Sequence, residues 1–237
     1  MQKIHFKSLS STNDYVRENI ENLNDKTLIT ADQQTAGKGR SSRSWISSEK
    51  NNLYFSLLLK PKYNFRNDNL ASLTQYVALV LTKVFKSYNV DAWIKWPNDI
   101  LVENKKISGV LTETMIQGSD LLGIVIGIGV NLNLSEMKIA EIDQPATSLN
   151  ILLGRSVDKE EFLEIFLKEF FNRYSILLEG GFSLIKDEYI ERAMFLGKKV
   201  RITVFDKVFV GIAKNIDNQG RLILDNNKII NIGDMLC

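Results

Sequence analysis

The sequence predicts an α+β fold: a mixed sheet with helices in a larger N-terminal part, and a small C-terminal β-barrel of the SH3-like kind. Two observations carry this. Over residues 1–190 strand-like and helical segments follow one another in irregular order, which points away from a strictly alternating doubly wound sheet. After Leu196 the helical periodicity stops. Gly197 to Ile232 reads as four short β-rich pieces, parted by turn signals at Phe205-Asp206-Lys207, Asp217-Asn218-Gln219-Gly220 and Asp225-Asn226-Asn227. A chain of 237 residues with 44% hydrophobic content suits this division, set at residues 1–192 and 193–237.

The elements follow in order. Lys3 to Leu9 alternates as a strand, and Ser10, Ser11 and Thr12 offer helix caps before the amphipathic run Tyr15 to Leu23. Thr27 to Gln33 reads as a strand entering a Gly/Ser/Arg-rich loop over residues 35–48, and Leu53 to Leu59 as a short apolar strand ended by Pro61. From Leu70 to Tyr88 the positions Leu73, Val77, Val80, Leu81, Val84 and Phe85 form one helical stripe. Strand-like pieces begin at Ala92, Lys106 and Leu121. Val157 to Leu178 is a long helix whose acidic first turn complements the helix dipole, and a short helix follows around Phe182 to Glu191.

Composition narrows the chemistry. One histidine (His5) and one cysteine (Cys237) cannot supply the three or four ligands of an ordinary zinc site, nor an intramolecular disulfide, which fits a reducing compartment. A Ser-His-Asp or Cys-His machine would rest entirely on His5, at the start of the chain. His5 reads instead as a strand edge and Cys237 as a disordered terminus. The 30 basic against 28 acidic residues, net charge +2, argue against a protein that coats nucleic acid or anionic lipid. The N-terminal stretch has no secretory pattern, and Leu121 to Leu134 is too short and glycine-rich to span a bilayer, so the expected location is cytoplasmic. Any catalysis must use Lys, Arg, Asp, Glu or backbone amides.

Four segments could carry it. In the loop Gln34 to Trp45, Gly37 and Gly39 permit close backbone approach while Lys38, Arg40 and Arg43 supply charge, a combination that can wrap a phosphate-bearing ligand; a basic surface loop is the plain alternative. In Lys95-Trp96-Pro97-Asn98-Asp99, the proline marks an edge, bulge or bend and leaves Asn98 and Asp99 at a turn, where Asp99 is a reasonable magnesium ligand; a capped turn with a packed tryptophan is the alternative. In Leu121 to Asn133, period two puts Gly123, Val125, Gly127, Gly129 and Asn131 on one face: a floor for something flat, or a site of close packing against another element. Between these lies Asn104 to Glu113, a solvated hairpin tip in the simplest view, which holds Lys106 where it could neutralise charge on a carboxylate attacking an α-phosphate.

Together these segments resemble the biotin protein ligases. The matching pieces are Ser11-Thr12-Asn13; Gln34 with Gly37-Lys38-Gly39-Arg40 and Arg43-Ser44-Trp45; Asn52-Leu53-Tyr54; Lys95 to Asp99; Lys106-Ile107-Ser108-Gly109 through Glu113; and Gly127 to Asn133. The resemblance covers residues 1–135, and the family also places an SH3-like domain at its C-terminus. It implies the biotin/lipoate ligase fold and a two-step reaction. Biotin and ATP give biotinyl-5′-adenylate with magnesium, and a lysine of a biotin carboxyl carrier domain, of the acetyl-CoA carboxylase type, then takes the biotin.

Carried over by residue, the resemblance gives Ser11, Thr12, Asn13 and Gln34 to biotin's ureido end. Gly37, Lys38, Gly39 and Arg40 fall to the ligand-ordered loop, and Gly109 to the biotin site. Lys106 and Arg40 become the catalytic cations. Arg43, Trp45, Lys95, Asn98 and Asn131 fall to the nucleotide and Asp99 to magnesium. The family's loop commonly reads Gly-Arg-Gly-Arg-Arg-Gly-Arg, whereas this chain has Lys38, Ser41 and Ser42 at three of those places, so looser retention of the adenylate is expected. The numbering leaves no room for the N-terminal DNA-binding segment that some relatives carry, so no DNA and no membrane partner is expected; monomer and homodimer both stay open. Lipoate–protein ligation and a non-catalytic biotin sensor are the competing readings.

Overall fold

A computed structural model describes residues 1–41, 43–47, 50–61, 68–118 and 120–236, with the side chains of residues 68–70 left out. Expectations resting on Ser42 and Cys237 lie outside the described residues. The chain forms two compact units, Met1–Asn64 with Asn104–Leu163, and Phe65–Glu103 with Glu164–Cys237.

The first unit is built on a mixed sheet. Strand β1 (Lys3–Leu9) runs parallel to β2 (Thr27–Gln34), with Lys3 opposite Leu28 and Leu9 opposite Gln34. Strand β2 pairs antiparallel with β3 (Leu53–Leu59), and β3 with the later strand β7 (Asp120–Val130). Strand β6 (Lys105–Gln117) is antiparallel to β7 on its other side, setting Gly109 opposite Gly129. Helix α1 (Thr12–Asn19) starts where it does because Ser11, extended at φ −157°, caps it: its hydroxyl accepts the Asp14 N–H. Such a cap is worth about 1 kcal/mol against alanine. Val16, Ile20 and Leu23 then pack with Ile29, Leu58 and Val125 in a core that Phe6, Tyr15 and Leu122 border.

Two short helices were not expected from the sequence. Helix α3 (Glu136–Ala140) is capped by Ser135, and α4 (Leu149–Leu153) runs from Ser148 to Gly154, whose φ of 66° ends it. Each has five residues, too few for a helical period to show.

The second unit holds α2 (Asp68–Ser87), the hairpin β4 (Trp93–Lys95) and β5 (Asp99–Val102), the body of α5 (Lys159–Gly180), a 3₁₀ turn (Gly181–Leu184), α6 (Lys186–Glu191) and the C-terminal strands. The expected stripe of α2 is buried throughout, from Leu73 to Phe85. Tyr76 meets Phe170 of α5 at 5.4 Å between ring centres and donates its hydroxyl to the Phe170 carbonyl at 2.5 Å. The acidic first turn of α5 is present as Glu160 and Glu161, with Asp158 accepting both of their N–H groups.

Strands β8 (Lys199–Val204), β9 (Lys207–Ile216), β10 (Leu222–Leu224), β11 (Ile229–Ile230) and β12 (Asp234–Leu236) form one antiparallel sheet in the order β11-β10-β9-β8-β12. Each turn signal read from the sequence contains one residue of positive φ: Phe205 at 51°, Gly220 at 78° and Asn227 at 60°. No helix among the described residues is long and apolar enough to cross a membrane.

Glu188 of α6 accepts from Lys83 at 2.5 Å and from Arg173. Burial alone would raise its carboxyl, but the bonds and charges of Lys83 and Arg173 outweigh burial and hold it below its ordinary 4.5. A carboxyl lowered on folding stabilises the protein fully above 4.5, and that contribution is lost as pH falls below it. Glu188→Gln should therefore lower the melting temperature at pH 7 and narrow the difference from wild type as the pH is taken from 5 to 3, measured by thermal melts. An unchanged difference across that range contradicts the assignment.

Candidate active site

The site of the first unit begins at the N-terminus of α1, where Ser11, Thr12, Asn13 and Asp14 are all buried. Gln34, at the end of β2, accepts the Thr12 N–H at 2.8 Å and lies 3.2 Å from the Thr12 hydroxyl, while its own amide donates to Ser47 at 2.9 Å. Ser56 Oγ stands 2.5 Å from Asn13 Oδ1 and 2.7 Å from Thr12 Oγ1. An amide oxygen only accepts, so the single Ser56 proton goes to Asn13 and the Thr12 hydroxyl can donate back to Ser56. The Asn13 amide nitrogen is fixed by Glu113 of β6 at 2.6 Å, with the Leu111 carbonyl at 3.4 Å. The result is a largely buried set of donors and acceptors with one orientation, neutral apart from the Glu113 carboxylate at its edge. Asn13 Oδ1, holding one proton from Ser56, keeps a second lone pair for a ligand.

The glycines of β7 make room for this set. A methyl group built on Gly127 would overlap the Asn13 amide, and one built on Gly129 would overlap the Trp45 indole. One on Gly109, opposite Gly129 in register, would stand 3.0 Å from the Trp45 ring and 3.2 Å from Lys106 Cε. Asn13, Trp45 and Lys106 thus lie along the face stripped of side chains. Of the two readings of that strand, close packing against another element is the one seen at Gly127 and Gly129.

Trp45 arrives from the loop. Its backbone N–H donates to Gly37 O at 2.9 Å, Gly39 N–H donates to Arg43 O at 2.7 Å, and Arg43 N–H to Arg40 O at 3.1 Å, so residues 43–45 run back beside residues 37–40. Ser41 has φ 53°, the left-handed region that favours glycine. The Lys38 ammonium reaches Asp14 Oδ1 at 2.6 Å, and Arg17 pairs with the same carboxylate, which ties the loop to α1. The indole nitrogen of Trp45 is buried with no hydrogen-bond partner among the described residues. Lys106 Nζ lies 5.3 Å from the centre of that ring, a cation–π distance.

Lys106 is held through its backbone: its N–H donates to Pro145 O at 2.8 Å, and its carbonyl accepts from Thr147 N–H at 3.0 Å. Asn131, at the end of the bare face, donates to the carbonyls of Thr147 at 3.1 Å and Lys106 at 3.5 Å. The first unit therefore assembles Ser11, Thr12, Asn13, Gln34, Gly37, Lys38, Gly39, Arg40, Arg43, Trp45, Lys106, Gly109 and Asn131. Lys95, Asn98 and Asp99 belong to the β4–β5 hairpin of the second unit, at the turn that Pro97 makes after a cis peptide bond. His5 stands apart on β1, with Nδ1 3.0 Å from Thr30 Oγ1. Among the described residues no group of three or more His, Cys, Asp or Glu is gathered to hold a metal.

Residues 5–131 match the biotin/lipoate A/B protein ligase family, and residues 195–236 match the biotin protein ligase C-terminal domain. The chain belongs to the biotin/lipoate A/B protein ligase family. The bifunctional ligase/repressor BirA of Bacillus subtilis is 34% identical over 227 residues, 95% of this chain and 70% of that protein. The biotin–[acetyl-CoA-carboxylase] ligase of Paracoccus denitrificans is 30% identical and covered over 90% of both chains. The biotin protein ligase of Aquifex aeolicus, solved in complex with biotin and ATP, superposes with a TM-score of 0.84 at 29% identity, covering 99% of this chain and 97% of that one.

Sequence reading of this ligase missed Ser56, Ser47 and Asp14. A lone serine inside the otherwise apolar strand Leu53 to Leu59 was the available signal, since a buried hydroxyl there requires partners. For Asp14 it was an acidic residue in a capped first turn.

Gly129→Ala should force the Trp45 ring off the floor, at an overpacking cost of about 1–3 kcal/mol. The Trp45 contribution to emission, isolated by subtracting Trp45→Phe spectra, should shift to longer wavelength in that variant. An unshifted Trp45 spectrum contradicts the packing described.

Proposed function

We propose that the chain is a biotin protein ligase that activates biotin with ATP and transfers it to a lysine of a biotin carboxyl carrier domain. One observation carries the reading: along a single bare strip of sheet, the neutral donors and acceptors around Asn13 stand at Gly127, and the Lys106 cation stands beside Gly109, opposite Gly129. Gly127 and Gly129 are two residues apart on a strand, about 7 Å. A ligand with a ureido ring at one end and a carboxylate at the other suits that polarity. Lipoate has no ureido group, and its dithiolane offers no donor to the lone pair that Asn13 Oδ1 keeps open, so that pairing is lost with it.

The chemistry asks for no enzyme nucleophile. A biotin carboxylate oxygen bonds to the α-phosphorus of ATP as the bond to pyrophosphate breaks. Lys106, with Arg40 of the loop, offsets the charge that gathers there. The carrier's lysine amine then bonds to the acyl carbon, AMP departs with the bridging oxygen, and the amine proton is lost to solvent. Positioning and charge stabilisation supply the acceleration. Thr12, Asn13 and Gln34 orient the ureido end, and Gly37, Lys38 and Gly39 carry the loop that lies across the ligand.

In the second unit, Asn98 serves the adenine and Asp99 the magnesium that accompanies ATP. A single carboxylate fits that ion, which keeps most of its waters and is bound largely through phosphate oxygens. The reading places the protein in the cytoplasm with its carrier. Residues 193–237 act as a C-terminal module of the SH3-like kind, separate in character from residues 1–192.

Labelled biotin incubated with the protein, MgATP and an apo carrier domain should appear on the carrier, and Lys106→Ala should abolish adenylate formation while leaving the melting temperature within a few degrees. Absence of label on the carrier overturns the reading. Normal adenylate yield from Lys106→Ala removes that lysine from its role.

A further inference from the structure

The polar set around Asn13 is a chain of hydrogen bonds that its own hydroxyls would allow to run in either of two directions. Ser56 Oγ lies 2.7 Å from Thr12 Oγ1 and 2.5 Å from Asn13 Oδ1, and Thr12 Oγ1 lies 3.2 Å from Gln34 Oε1. Each hydroxyl has one proton and can accept as well as donate. In one direction Thr12 donates to Ser56, and Ser56 to Asn13 Oδ1. In the other the Asn13 amide is turned over: its nitrogen donates to Ser56, Ser56 to Thr12, and Thr12 to Gln34 Oε1. Thr12, Asn13 and Ser56 are each no more than 4% exposed, so bulk water does not set the choice.

The two directions leave opposite groups open. In the first, Asn13 Oδ1 keeps one lone pair, and so does Gln34 Oε1, which among the described residues then accepts only the Thr12 N–H at 2.8 Å. In the second, both lone pairs of Gln34 Oε1 are filled, and Asn13 offers an N–H where it offered oxygen. A group that can only accept decides between them, and Glu113 of β6 is that group. Its carboxylate lies 2.6 Å from Asn13 Nδ2, and the Leu111 carbonyl at 3.4 Å adds the same preference weakly. Turning the Asn13 amide over would set two oxygens against each other at the Glu113 contact.

We infer that Glu113 sets the direction of this chain and so makes the site a pair of open acceptors, selecting a ligand that carries two N–H donors. This rests on the proposed reading in which biotin's ureido group meets Asn13 and Gln34. Glu113 is a positioning residue: it acts through Asn13 and, by way of Ser56 and Thr12, through Gln34. Hydrogen bonds in a buried chain polarise one another, so an acceptor-only group at one end orients the whole. A cyclic urea donates from both nitrogens. A cyclic carbamate has oxygen in place of one of them and sets that oxygen against an acceptor.

The probes are biotin and the two cyclic carbamates in which one ureido N–H, or the other, is replaced by oxygen, each titrated by calorimetry. Wild type should bind biotin at least about tenfold more tightly than either carbamate, the effect of a lost hydrogen bond and an unpaired acceptor. Glu113 is only partly buried, so Glu113→Met keeps the volume while removing the acceptor and freeing the Asn13 amide to turn. Its preference for biotin should narrow to about threefold or less, with KM for ATP unchanged within about twofold. A merely structural loss would weaken all three ligands alike and leave the preference as it was. Ser56→Ala is the second variant and serves should Glu113→Met fold poorly. It breaks the chain between Asn13 and Thr12, so that Thr12 donates to Gln34; the preference should narrow against one carbamate and persist against the other. A Ser56→Ala protein that discriminates against both carbamates as wild type does overturns the inference. A wild type that binds the carbamates as tightly as biotin refutes the ureido reading, and the inference with it. If wild type discriminates and folded Glu113→Met does so equally, the assignment to Glu113 fails alone.

Discussion

The absence of two side chains on β7 is the constraint on which the rest of the first unit depends. Gly127 lets the first turn of α1 descend onto the sheet until the Asn13 amide occupies the volume a methyl would fill, and Gly129 does the same for the Trp45 indole. Once Asn13 is that close, Ser56 on β3 and Glu113 on β6 can reach it from either side of β7 in the sheet. Once Trp45 is down, residues 43–45 are anchored beside Gly37 and Gly39 and Lys106 has an aromatic face beside it. The apolar alternate residues Ile124, Ile126, Ile128 and Val130 are all buried and hold the strand in register from the other face.

This arrangement explains how a chain with one histidine and one cysteine can carry a group-transfer reaction. In the proposed reading, the acceptor that this set leaves open, Asn13 Oδ1, favours a ligand that can donate to it. The cations do different work. Lys38 is fastened to Asp14 on α1, so in the form described it closes the loop rather than presenting its charge outward. Lys106, fixed by its backbone to Pro145 and Thr147 and steadied by Asn131, projects a flexible side chain along Gly109. A cation whose base is rigid and whose stem can extend suits a charge that develops during reaction.

Much of this was legible in the sequence, and the limits have physical causes. The cap at Ser11, the stripe of α2, the bare face of β7 and the three C-terminal turns were visible because each leaves a local mark: a hydroxyl before an apolar run, a period of 3.6, a period of two, or a residue type that tolerates positive φ. Ser56, Glu113 and Asp14 acquired their roles only through partners 43, 100 and 24 positions away, and no local pattern reports such pairing. The same holds for Gly220, read as a turn glycine on local grounds, whose carbonyl meets residues 145 and 124 positions earlier. Helices α3 and α4 fell below the length at which periodicity can be seen.

In the proposed reaction, Gly127 makes the room in which Asn13 stands and pairs with biotin. Calorimetric titration of biotin into Gly127→Ala measures this directly. With the added methyl in the place of the Asn13 amide, biotin affinity should fall by about 100-fold, the effect of about two hydrogen bonds lost from a buried polar site, while far-ultraviolet dichroism stays that of the folded protein. Biotin binding within about threefold of wild type in a folded Gly127→Ala protein contradicts the account.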